Sequence, residues 1–136
     1  MKLPTPRLYQ FHNSRFYQED LYSTYMKRIV VMCEGNVLLD AVRVVDRYKD
    51  TKWMLDGEKV WSSRISTLLN GFGKQGIKRC VIHLHVEDNV GRTTDLFVPR
   101  VIKYLVTYHD GVCDCKALTE TQRLENFGDA MRVMKK

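Results

Sequence analysis

No run of about eighteen apolar residues occurs in the chain, so no segment has the length and apolarity of a membrane-crossing helix. The first twenty residues, MKLPTPRLYQFHNSRFYQED, lack the apolar stretch of a secretory leader. An intracellular setting (cytoplasm, organelle matrix or virion) is therefore expected. The four cysteines, Cys33, Cys80, Cys113 and Cys115, follow no zinc-finger spacing, and free thiols in a reducing compartment are expected. No Gly-rich phosphate loop is present. Gly71-x-Gly73-x-x-Gly76 has the spacing of a dinucleotide fingerprint, but it follows a helical pattern and precedes a strand pattern, the reverse of what that site needs. Ser–His–Asp, kinase and metalloprotease signatures are missing, as are internal repeats. No segment joins a Lys/Arg face to a strong apolar face, which argues against a membrane surface. These absences favour binding over catalysis and call for no cofactor.

What the chain does have is an ordinary globular composition. Its 136 residues are 44% hydrophobic and 28% charged, which suits one domain with one core. Lys and Arg number 22 against 16 Asp and Glu, a net charge of +6, and the pI is near 9.2. That excess points to a polyanionic partner, most simply nucleic acid. Half of it is local. Residues 1–17 hold Lys2, Arg7 and Arg15 with no acidic residue, interleaved with Tyr9, Phe11, Phe16 and Tyr17. Pro4 and Pro6 favour extended backbone there. A solvated tail has little use for four aromatics. The segment reads as a basic aromatic arm. It docks on its own domain, on a neighbouring subunit or on RNA, with arginines on phosphate and rings stacking. Residues 18–136 then form a single α+β domain.

Within that domain, Leu21, Tyr25, Ile29 and Cys33 recur every four positions. This predicts a helix over 18–34, stopped by Gly35 and Asn36, although Ile29–Val30–Val31 also suits a strand. Residues 37–48 share the ambiguity. Leu38, Ala41, Val45 and Tyr48 suit a helix after an Asn36 cap, so an αα-hairpin is expected. A turn at Asp56–Gly57 precedes a helix to about Asn70, with Trp61, Ile65, Leu68 and Phe72 as its stripe. From Ile77 the period becomes two. Cys80, Ile82, Leu84 and Val86 face one way, and Arg79, His83, His85 and Glu87 the other. A loop at Asn89–Val90–Gly91 would return this strand along 92–98, pairing Leu84 with Leu96, Ile82 with Val98 and His85 with Asp95. Asp110–Gly111 marks a second hairpin. It pairs Tyr108 with Cys113, Val106 with Cys115 and Tyr104 with Ala117, and Pro99 separates the two hairpins. Thr119-x-x-Gln122 is a capping box that opens a C-terminal helix with the stripe Leu124, Phe127, Met131 and Met134. The expected fold is α+β: an N-terminal extended arm and helices, a four-stranded antiparallel meander, and a C-terminal helix.

Several residue sets invite chemistry. His83-x-His85 and Cys113-x-Cys115 are zinc-type pairs at strand spacing. The cysteines, however, share an apolar face with Ala117 and the histidines a polar face with Glu87. Buried free thiols are the better account, and no metal is expected. His85 opposite Asp95 has the form of a dyad, but no nucleophile stands beside it and a cross-strand polar pair suffices. His83–Leu84–His85 resembles the histidine–hydrophobic–histidine strand of rolling-circle replication endonucleases. That resemblance implies a divalent metal on the two histidines, with Tyr104 or Tyr108 attacking a DNA phosphate. The helix at 57–70 followed by strands at 79–98 resembles the second half of a winged-helix domain. This implies a groove-facing set of Ser62, Ser63, Ser66, Thr67 and Asn70, with Arg64 nearby and Arg92 on phosphate.

These features combine best in a non-enzymatic small basic subunit of a larger assembly, a ribonucleoprotein or a viral particle. It would contact nucleic acid and neighbouring protein subunits, with no membrane and no cofactor. Arg7, Arg15, Arg64, Lys78, Arg79 and Arg92 are the expected nucleic-acid contacts. Tyr9, Phe11, Phe16 and Tyr17 are the expected partner-docking residues. The alternatives are a winged-helix-like DNA-binding regulator and a metal-dependent single-strand endonuclease. On this reading, removing residues 1–17 leaves a folded domain and weakens assembly.

Overall fold

The computed structural model describes residues 8–12, 14–45, 51–89 and 96–118. Seven strands form one antiparallel sheet: β1 (Met26–Cys33), β2 (Asn36–Val45), β3 (Thr51–Leu55), β4 (Glu58–Trp61), β5 (Arg79–Asp88), β6 (Val98–His109) and β7 (Val112–Ala117). Their spatial order is β4-β3-β2-β1-β5-β6-β7. One helix, α1 (Ser62–Gly71), and two 3-10 turns, Gln18–Leu21 and Gly73–Gln75, complete the elements among the described residues. None of these helices is long and apolar enough to cross a membrane.

The expected α+β class is therefore corrected to a mostly-β fold. No αα-hairpin forms. Residues 18–34 are a 3-10 turn followed by β1, and residues 36–45 are β2. A recurrence of four keeps side chains on one face of a helix and equally on one face of a strand, whose period is two. The β-branched run settles the choice. The turns agree. Glu34 and Gly35 take φ of 49° and 82°, Asp56 and Gly57 take 50° and 84°, and Asp110 and Gly111 take 50° and 78°. Positive φ at both central positions is the two-residue hairpin pattern. The first pair is therefore a β1–β2 turn, not a helix stop. The second joins β3 to β4, so the helix begins at Ser62 instead of 57.

The four-stranded meander also changes. β5 pairs with β6 along its whole length, with Leu84 opposite Ile102, Ile82 opposite Tyr104 and His85 opposite Val101. Pro99 lies inside β6, opposite Glu87. It is tolerated because β7 flanks β6 only from Tyr104 onward, so among the described residues this part of β6 is an edge with no second neighbour to serve. Val90, Gly91 and Asp95 lie outside the described residues. The hairpin at Asp110–Gly111 has the expected register, Tyr108 with Cys113, Val106 with Cys115 and Tyr104 with Ala117. The expected C-terminal helix lies outside the described residues.

The core sits against one sheet face. A row Leu55–Ala41–Ile29–Leu84–Ile102 crosses five strands, and Leu39–Val31–Ile82–Tyr104–Ala117 runs beside it. Trp53 of β3 and Ile65, Leu69 and Phe72 of the helical segment complete the same core. The Trp53 Nε1–H donates to Ser62 Oγ at 3.2 Å, which gives the buried indole its partner.

Residues 8–12 and 14–17 contribute three rings to this core. Tyr9, Phe11 and Phe16 are 8%, 7% and 0% exposed, and Tyr17 is 37% exposed. The Tyr104 hydroxyl donates to Tyr9 O at 2.6 Å and accepts from Tyr9 N–H at 3.0 Å. The Tyr9 hydroxyl donates to the buried Asp88 carboxylate at 2.9 Å, which also takes a two-pronged grip from Arg100. Phe16 is clipped at both its N–H and its C=O by the Asn70 amide, each at 2.7 Å. Three of the four rings expected to reach a partner are spent on the protein's own core, and only Tyr17 keeps substantial exposure.

Candidate nucleic-acid interface

A backbone row ties the arm to one end of the sheet. Tyr108 N–H donates to Lys78 O at 2.8 Å, and Cys113 N–H donates to Ser14 O at 3.2 Å. Tyr108 and Cys113 are themselves paired. Lys78, Tyr108, Cys113 and Ser14 thus lie side by side across three strand spacings, roughly 14 Å. Arg15 follows Ser14, and Arg79 follows Lys78 to open β5 opposite Thr107. Lys74, in the 3-10 turn after α1, joins Ser14, Arg15, Asn70, Tyr108 and His109 around a groove of about 540 Å³. Arg15 and Lys74 therefore line one groove, and Lys78 joins the same rim through its bond to Tyr108, whereas Arg79, alternating with core-facing Cys80, lies on the opposite sheet face with His83 and His85.

Local chemistry holds this rim in place. A Cβ on Gly73 would lie 2.8 Å from Tyr108 Cδ1, so only glycine lets the turn close over that ring. The Tyr108 hydroxyl then donates to Leu69 O at 2.6 Å, tying β6 to the C-terminal end of α1. Gly76, at φ 94°, turns the chain toward β5 in a conformation that suits glycine.

Arg15, Lys74, Lys78 and Arg79 form no ion pair among the described residues. Elsewhere, cations meet carboxylates. Arg28 grips Asp40 with two hydrogen bonds of 2.8 and 2.6 Å, which hold the Asp40 carboxyl below its usual range. Lys116 lies 3.5 Å from Asp114. The Asp110 carboxylate at the groove sits 3.1 Å from His109 Nε2. The Arg15 guanidinium lies 5.2 Å from the centroid of the Tyr17 ring. Carboxylate-free cations beside an exposed ring suit a phosphate backbone with an unpaired base.

The other expected residues fall elsewhere. Arg64 is exposed on α1 and does not line the groove. Arg7 and Arg92 lie outside the described residues. The expected winged-helix face is split: Ser62 and Ser66 are buried and Asn70 spends its amide on Phe16, while Ser63 and Thr67 are exposed. Lys74 was absent from the expected set. Its signal was its place in the Gly71–Gly76 stretch, where closely spaced glycines fold the chain back onto β6.

The metal and nuclease sets do not come together. His83 and His85 point to the open sheet face. Tyr104, Tyr108, Cys113 and Cys115 belong to the core face. Burial, then Lys103 and His85, lowers the His83 pKa, and burial with Arg28 lowers that of His85. Burial raises the pKa values of Tyr104, Tyr108, Cys113 and Cys115 and pushes the Cys80 thiol up to about 11. No group of three or more potential metal ligands occurs among the described residues. His85 stands opposite Val101, and Asp95 lies outside the described residues. No family model, curated protein or solved structure matches the chain.

Proposed function

We propose that this protein is a non-enzymatic basic subunit of a larger assembly, a ribonucleoprotein or a viral particle, and that it holds single-stranded nucleic acid along the rim. The observation that carries this reading is the approach of Arg15, Lys74 and Lys78 from separate chain segments with no described carboxylate paired to them. Gathering like charges costs self-repulsion, which a bound polyanion offsets. Tyr17 beside Arg15 adds a face for one base, a preference for unpaired strands over duplex. Protonated thiols and phenols make poor nucleophiles, which supports binding without bond chemistry. Exposed Trp61, Leu96 and Phe97 supply apolar surface for neighbouring subunits.

Anisotropy titration of a labelled single-stranded RNA tests the reading. Three phosphate contacts predict a log–log salt slope of roughly −2. The double variant Arg15→Glu/Lys78→Glu should lose most of the affinity. Equal affinity in the double variant, or no binding at low salt, contradicts it.

A further inference from the structure

The β1–β2 turn fixes how Cys33 stands toward β5. Glu34 and Gly35 are the two central residues of that turn, and Cys33 pairs with Asn36 across them. In a two-residue hairpin the flanking residues exchange both backbone hydrogen bonds. The Cys33 N–H and C=O therefore face β2, and toward β5 Cys33 occupies a non-hydrogen-bonded position. The β1–β5 ladder pairs Val31 with Ile82 and Met32 with Val81, and one further step sets Cys33 opposite Cys80. Both alternate onto the core face, with Ile29, Val31, Ile82 and Leu84. We propose that Cys33 and Cys80 are an oxidisable thiol pair: a peroxide oxidises Cys33, and Cys80 then closes a disulfide that joins β1 to β5.

Geometry selects this pair among the four cysteines, all of which are free thiols. Opposed residues at a non-hydrogen-bonded position have Cα atoms about 4.5 Å apart, inside the roughly 4.4–6.8 Å that a disulfide spans. Cys113 and Cys115 lie on β7, with β6 between them and Cys80, two strand spacings or about 9–10 Å away. Those two share a face of one strand with parallel side chains about 6.6 Å apart, too far for the roughly 3.5–4.5 Å between bridged Cβ atoms. Exposure orders the steps. Cys33 is half-buried and Cys80 is 3% exposed, so peroxide reaches Cys33 first. The Cys33 thiol donates to Arg79 O at 3.6 Å, which seats its sulfur against the backbone leading into Cys80. That sulfur attacks one peroxide oxygen, the O–O bond breaks, and Cys33 becomes a sulfenic acid with release of water. The Cys80 sulfur then attacks the Cys33 sulfur. The S–S bond forms, the S–O bond breaks, and the oxygen leaves as water with the Cys80 proton. Two thiols thus give two electrons to one peroxide, which ends as two waters. Burial pushes the Cys80 thiol up to about 11, so closure is slower than the first step. The inference does not rest on the nucleic-acid rim.

Treatment of the native full chain with hydrogen peroxide tests it, followed by N-ethylmaleimide capping in denaturant and unreduced peptide mapping by mass spectrometry. A peptide pair joined through Cys33 and Cys80 should appear, two hydrogens lighter than its parts, and dithiothreitol should separate it. Dimedone, which traps sulfenic acid, should label Cys33 before the link accumulates. Cys80→Ala should abolish the link and raise dimedone labelling of Cys33 several-fold, whereas Cys115→Ala should leave both unchanged. Mapping of the unaltered chain decides the matter even where a variant fails to fold. The inference is overturned if the oxidised chain links Cys33 to Cys113, to Cys115 or to a second copy. It is overturned equally if Cys33 passes to sulfinic acid while Cys80 is recovered with its maleimide cap, if neither thiol is oxidised in the native chain, or if a folded Cys80→Ala chain labels with dimedone no more than the unaltered one.

Discussion

Phe16→Ala probes whether residues 8–17 are an appendage or part of the core. The Phe16 side chain is fully buried. Its ring stands edge-on to Phe11 at 5.5 Å, and its backbone is clipped on both sides by Asn70. The clip keeps the chain in place when the ring is removed, so the site collapses little and a cavity remains. Such a truncation costs about 3–5 kcal/mol. Against a total stability of about 5–15 kcal/mol for a small domain, that is a large share. With a urea m-value of about 1.5 kcal/mol/M, the unfolding midpoint should fall by about 2–3 M. Tyr17→Ala is the control. Its ring is exposed, and the expected change is within about 0.5–1 kcal/mol. Tryptophan fluorescence reports the transition, since Trp53 is fully buried beneath α1. A Phe16→Ala midpoint within about 0.5 M of the Tyr17→Ala value would refute the argument. Removal of residues 1–17 is accordingly expected to unfold the domain, a reversal of the expectation that the arm is dispensable.

Gly73→Ala should displace the Tyr108 ring, break its hydrogen bond to Leu69 and cost about 1–3 kcal/mol, read from denaturant unfolding; an unchanged midpoint would contradict the close approach of 2.8 Å. The folded state holds the His83 and His85 imidazoles below their ordinary pKa of 6.5. The unfolded chain therefore binds more protons in that window, and stability present above about pH 6.5 should fall as the pH drops through the folded values. A His83→Gln/His85→Gln variant should flatten the loss between about pH 7 and 5, whereas the Arg28–Asp40 contribution should disappear only below the ordinary carboxylate range. Among the thiols, half-buried Cys33 should react promptly with Ellman's reagent in the native state and Cys80, Cys113 and Cys115 only on unfolding; prompt reaction of all four would contradict the packing.

How much was legible depended on whether a local pattern had one solution. At Asp110–Gly111 the turn chemistry and the alternation of Tyr104, Val106, Cys113 and Cys115 agreed, and register followed. The acidic–Gly pairs at Glu34 and Asp56 carry the same backbone conformation, but each lay beside a recurrence of four that fits a helix or a strand. The serines of α1 misled for a different reason. A small hydroxyl can face the core when a neighbour such as the Trp53 indole satisfies it, so polarity alone does not mark the outer face. Pro99 reads as a break only if β6 is flanked on both sides there, and the stagger of β7 is a tertiary property. At the candidate site, Arg15, Lys78 and Arg79 were visible as charges. The approach of Arg15 to Lys78 depends on the Ser14–Cys113 and Lys78–Tyr108 backbone bonds, which link residues 99 and 30 positions apart and leave no periodic trace.

The most direct measurement is photo-crosslinking of a 4-thiouridine single-stranded RNA to the full chain, with the modified peptides located by mass spectrometry. The account predicts crosslinks at the rim, on the peptides carrying Tyr17 and Tyr108–His109, lost in Arg15→Glu/Lys78→Glu. Crosslinks confined to β2 and β3, or none at low salt, would contradict it.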